Sequence, residues 1–113
     1  MDRKDIPPEM LREMLAGATD AGDPMQPEED AALQRLIQIA QGDTGGSRRV
    51  ANFLLAWWNA DECGAFDLRD LWGLDPQVCA DVTRIFAFLC RRSVYPDTLG
   101  YAEHFENLVK QWR

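Results

Sequence analysis

Cys63, Cys79, Cys90 and His104 are the residues that could bind a soft metal or act as a nucleophile–base pair. A structural zinc site is built on close pairs such as C-x₂₋₄-C, and no such pair occurs here. Thiols in this irregular pattern pack as small apolar groups instead; Cys79 and Cys90 fall inside expected helices, and Cys63 in an expected loop. Asp61 and Glu62 beside Cys63 discourage the thiolate, which makes it a poor nucleophile, and no oxyanion site is suggested. The carboxylates Asp61, Glu62, Asp67 and Asp70 are the other candidates for chemistry. Asp67 and Asp70 stand three apart, on one face of an expected short helix. Capping and solvation account for them, and with no second catalytic group in sight acid–base catalysis is not expected. These residues point away from an enzyme, a metal and a cofactor.

The loop GDTGGSRR, residues 42–49, could do a different kind of chemistry. Glycines ahead of a helix start can aim backbone N–H groups at an anion. Ser47, Arg48 and Arg49 would complete such a site. The phosphate-loop pattern G-x-x-x-x-G-K-[ST] is not met, however: there is no lysine, and a helix rather than a strand precedes the loop. The simpler reading is a glycine-rich turn with Ser47 as N-cap. Two arginines beside a positive helix end still call for an acid or an anion nearby, and the acids of residues 61–81 are the candidate internal partners.

Helices joined by short loops must position these groups. A first helix with an apolar side of Met10, Leu11, Met14 and Leu15 is expected, then a turn-rich linker to residue 26. Pro27 suits the first position of a second helix, with Glu28, Glu29 and Asp30 at its positive end and a stripe of Leu33, Leu36, Ile37 and Ala40. Gly42 is expected to end it in a left-handed conformation. The third helix carries Val50, Phe53, Leu54 and Trp57 on one face and Ala51, Leu55 and Trp58 on a neighbouring one, and residues 61–64 break it. It is therefore central to the fold or to an interface. A short helix over 68–72 follows, with Asp67 capping the N–H of Asp70. The longest helix is expected over 76–92, with a stripe of Val78, Val82, Ile85, Phe86 and Leu89 and with Arg91 and Arg92 at its negative end. Tyr95-Pro96-Asp97 is a turn, and Tyr101, Phe105, Leu108, Val109 and Trp112 form the stripe of a final helix. No window alternates apolar and polar residues as a strand would. The expected fold is all-α: a compact single-domain bundle of five to six short helices, with residues 1–26 as N-terminal helix and mobile linker and 27–113 as the helical domain.

Composition narrows the function. The chain has 113 residues and 46% hydrophobic content, enough for one domain with a real core. No apolar run nears the roughly 20 residues of a membrane helix. MDRKDIPPEM carries no apolar signal region, which points to the cytoplasm. The net charge is −7 and unevenly spread: residues 61–81 hold six acids against Arg69 alone. Duplex DNA demands several neutralised phosphates, so direct nucleic-acid binding, by a helix-turn-helix or otherwise, is not expected. An acidic surface suits a partner with a basic one. Trp58 or Trp72, if exposed, would be a binding anchor, or would be buried between the subunits of a homodimer; the simpler reading places both in the core.

The segment AQGDTGGSRRVANFLLAWWNADECGAFDLRDLWGLD, with YPDTLGYAEHFENLVKQWR after it, resembles a family of small uncharacterised proteobacterial proteins found on conjugative elements, plasmids and prophages. The resemblance spans roughly residues 28–113 and leaves the first helix and linker outside. It brings no activity, ligand or catalytic residue, but it implies a bacterial cytoplasm and a mobile-element setting. Small acidic proteins there commonly act by binding. The resulting expectation is a non-catalytic protein-interaction module, a regulator or an anti-CRISPR-like inhibitor of a host defence or nuclease complex. Its expected contact residues are Arg48, Arg49, Trp58, Asp61, Glu62, Asp67, Asp70 and Trp72. A domain binding a small anion or nucleotide through residues 42–49 is the alternative.

Overall fold

A computed structural model describes residues 24–113; the expected first helix, with Met10, Leu11, Met14 and Leu15, and most of its linker lie outside the described residues. Among the described residues the chain is all-α, with no strand. Four α-helices run in order: α1 (Pro27–Ala40), α2 (Gly45–Cys63), α3 (Pro76–Arg91) and α4 (Ala102–Trp112). A 3₁₀ helix, Leu68–Gly73, separates α2 from α3. Both prolines open their helices as expected, Pro27 for α1 and Pro76 for α3.

The core forms where the apolar stripes meet. Leu33, Leu36, Ile37 and Ala40 of α1 pack with Val50, Ala51, Phe53, Leu54 and Leu55 of α2, Val82 and Ile85 of α3, and Phe105 and Leu108 of α4. α2 packs on α1, α4 and the 3₁₀ helix, while α3 lies against α1. Phe105 is fully buried and engages both neighbouring tryptophans. Its ring meets Trp57 edge-on at 5.8 Å and Trp58 in a stack at 5.5 Å. The two indoles diverge by about 100° on α2, and one phenylalanine bridges them. Two indole N–H groups add ties around this core: Trp57 holds the loop after α3 by donating to the Val94 carbonyl at 2.9 Å, and Trp112 joins the end of α4 to the end of α1 by donating to the Ala40 carbonyl at 2.8 Å.

Polar pairs hold α1 against the rest. Arg35 grips Asp81 with two hydrogen bonds of 2.9 and 2.8 Å. Arg91 grips Glu29 with two of 2.8 Å, and the Tyr101 hydroxyl meets Asp30. The second pair starts at the end of α1, where Glu29 also accepts the Gln26 backbone N–H at 2.8 Å. The acids of the first turn thus do more than favour the dipole: Glu29 is buried and pairs with the far end of α3.

Several local expectations need correction. Gly42 does not adopt a positive φ; Gly64 and Gly100 do, and α1 ends with Gln41 in a right-handed conformation. Thr44, not Ser47, caps α2: its hydroxyl accepts the Ser47 N–H at 3.0 Å, and Ser47 itself is buried. α2 breaks at Asn59 (φ −165°, ψ 90°), earlier than residues 61–64, and is helical again to Cys63. The Asn59 side chain accepts the Glu62 N–H at 3.2 Å, a local bond that competes with the helical ladder. Phe86 is 55% exposed and Phe88 is buried in its place, so the buried arc of α3 turns toward Asp81 and its partner Arg35. Cys90 is exposed and Cys63 half-buried, the reverse of the order expected from the loop and helix assignments.

Replacing Phe105 with Ala removes the ring shared by both tryptophans and should cost about 3–5 kcal/mol in urea unfolding. The Arg91 hydrogen bonds hold the Glu29 carboxyl below its ordinary value of 4.5. A lowered carboxyl stabilises the fold above its unfolded value, and that contribution is lost as pH falls through the folded one. Glu29→Gln should therefore be less stable than the wild type by about 1–2 kcal/mol at neutral pH, and the gap should close as the pH drops below about 4.5. Denaturant midpoints of the two proteins across pH 3–7 check this.

Candidate functional site

The short 3₁₀ helix places the most exposed aromatic residue of the described chain on the surface. Asp67 starts it, with its carboxylate accepting the Arg69 N–H at 2.9 Å rather than that of Asp70. The Arg69 guanidinium returns to the same carboxylate at 2.7 Å. These contacts, led by the side-chain hydrogen bond, pull the Asp67 carboxyl down to about 2. Leu68 and Trp72 stand four positions apart and are 67% and 84% exposed.

A chain of polar contacts fixes this platform to the bundle. Asp70 points inward, toward Arg49 at 4.0 Å and the Asn52 amide at 3.4 Å. The Asn52 carbonyl oxygen accepts from Arg113 at 2.6 Å. The same guanidinium donates to the Cys63 carbonyl at 2.8 Å. One guanidinium can reach both Asn52 and Cys63 only if the chain folds back along α2 after its break. The edge-on contact of Phe53 with Phe66, 5.4 Å between centroids, agrees with that reversal. The Arg49 guanidinium fills the place where a side chain at residue 73 would sit: a Cβ on Gly73 would lie 2.4–2.7 Å from it. Cys79 holds the other side, its thiol donating to the Leu71 carbonyl at 3.5 Å.

A concave feature lies at the break in α2. An open cleft of about 560 Å³ is lined by Trp57, Trp58, Asn59, Asp61, Tyr95 and Asp97, among others.

The expected site residues therefore divide. Trp72 and Asp67 stand on the exposed platform, and Asp61 and Glu62 are exposed just after the break. Trp58 lines the cleft while stacking on Phe105. Asp70 and Arg49 face each other at 4.0 Å, both half-buried, the intramolecular pairing that the sequence left open. In residues 42–49, the Ser47 hydroxyl is shared with Thr44 at 2.9 Å, and Arg48 is exposed. Among the described residues no group of three or more His, Cys, Asp or Glu side chains could hold a metal ion, and no helix is long and apolar enough to cross a membrane. Sequence reasoning did not single out Asn52, Gly73, Arg113 or Asp97. Their side chains, or lack of one, are ordinary, and only contacts across distant segments give them a role.

Gly73→Ala must push the Arg49 guanidinium aside and so break its contact with Asp70. The expected loss of stability is under about 1 kcal/mol, because the pair is long and partly exposed. The Trp72 platform should loosen more visibly, as broadened amide signals over residues 68–73 in ¹H–¹⁵N NMR spectra.

No significant match is found among curated proteins or among solved structures. A sequence-family profile does match, over residues 30–113, the part of the chain that contains α2, the 3₁₀ platform and the cleft. The chain belongs to a family of unknown function, DUF7673.

Proposed function

We propose that this protein is a non-catalytic interaction module that binds another protein through the Trp72 platform. One observation carries the reading: an indole left 84% exposed on a helix that the rest of the fold holds in place. Burying an indole contributes on the order of 3 kcal/mol, so the exposed ring is stabilisation left for a partner to gain. Tryptophan is enriched among residues that dominate binding energy, and a pre-fixed platform loses little conformational entropy when it docks. Asp61 and Glu62, exposed beyond the break in α2, add to the negative charge that suits a basic partner.

The finer reading places the module on a bacterial mobile element, as a regulator or as an inhibitor that covers a basic surface of a host nuclease or defence complex. The net charge of −7 supports it, since such surfaces normally receive nucleic acid.

Affinity capture of the tagged protein from a bacterial lysate tests the proposal, with Trp72→Ala run in parallel. Trp72→Ala should keep its melting temperature within about 2 °C, because the ring packs on little. It should lose at least ten-fold in partner retention, and retention by the wild type should fall as salt rises. Equal retention by the two proteins would overturn the platform as the contact.

A further inference from the structure

The break in α2 creates a place for a positive charge. α2 runs unbroken to Trp58, and the C-terminal end of that stretch, Ala56 to Trp58, lines the cleft. That end of a helix carries partial negative charge. Asp61 and Asp97 line the same cleft. Among the described residues neither is in a salt bridge; Asp97 accepts only the N–H of Thr98, at 2.8 Å, which steadies its carboxylate. Trp57, Trp58 and Tyr95 complete the lining, with Tyr95 64% exposed. The two indoles are immobilised by Val94 and Phe105, and no Lys or Arg stands among the lining residues. Aromatic rings, two unneutralised carboxylates and a carbonyl-rich helix end all favour one kind of guest, a cation with a flat face.

We propose that this cleft binds an arginine side chain of a basic partner segment. A guanidinium can lie on an aromatic ring while its N–H fork reaches a carboxylate, which a compact ammonium cannot do as well. The proposal rests on the reading of the protein as an interaction module and adds the chemistry of a second contact. Phosphate-bearing partners are disfavoured by the same carboxylates.

N-acetyl-arginine amide, titrated into the full chain and followed by ¹H–¹⁵N NMR, is the test. The isosteric but neutral N-acetyl-citrulline amide and N-acetyl-lysine amide serve as comparisons. Saturable shifts should gather at the Trp57 and Trp58 indole N–H signals and at the amides of Asn59, Asp61 and Asp97. Citrulline should give none, and lysine should bind more weakly. Asp61→Asn with Asp97→Asn, both at exposed positions, should reduce affinity at least ten-fold, with signals elsewhere confirming an unchanged fold. Shifts scattered over all surface acids, equal response to citrulline, tighter binding of lysine, or no effect of the double variant would each overturn the proposal. Trp72→Ala should leave this titration unchanged, so failure of the platform and failure of the cleft are read separately.

Discussion

α2 is apolar on two faces, and that single constraint organises the molecule. A helix with one apolar stripe needs one neighbour; a helix with two must be covered from more than one side. α1 covers one side of α2 and α4 covers another, while the 3₁₀ helix closes part of what remains. Phe105 is the point where this demand is met most densely, because one ring serves both indoles. α3 completes the bundle by packing against α1, joined to it by Arg35–Asp81 and Arg91–Glu29.

The same constraint explains why the binding features sit where they do. The short helix turns Leu71 toward the core and leaves Leu68 and Trp72 outside. A polar seam of Arg49, Asp70, Asn52 and Arg113 across three segments adds to that packing. Such contacts are individually weak on a surface, yet together they set an orientation. The break at Asn59 does comparable work at the other end of α2. It turns the chain back along the helix and leaves the carbonyl end, two aromatic rings and Asp61 around one opening.

Much of the fold was legible along the chain. Two prolines marked helix starts, and the 3.6-residue spacing of Leu33, Leu36 and Ile37 or of Phe105 and Leu108 marked buried faces; of the acids offered as internal partners for Arg48 and Arg49, Asp70 faces Arg49, while Arg48 is exposed. Errors came where two residues were locally equivalent. Thr44 and Ser47 are both capping residues, and the pair of glycines between them made the later start look better. Phe86 and Phe88 flank the stripe of α3 on opposite sides, at about 100° per residue. Which one is buried depends on how α3 is turned against its neighbours, and the Arg35–Asp81 pair on the Phe88 side of the stripe records that turn.

The candidate surface was legible in kind but not in assembly. Sequence alone determined that the chain is helical, where its main apolar faces lie, and that its charge is strongly negative. These follow from local periodicity, capping chemistry and composition, which act within a few residues. Tertiary structure alone decided that Trp72 is outside while Trp58 is half inside, that Asp70 faces inward while Asp61 faces outward, and that Tyr95 and Asp97 meet the end of α2. Those outcomes depend on how helices cross and where a chain reverses. Both are governed by contacts between segments far apart in sequence, and no local pattern records them.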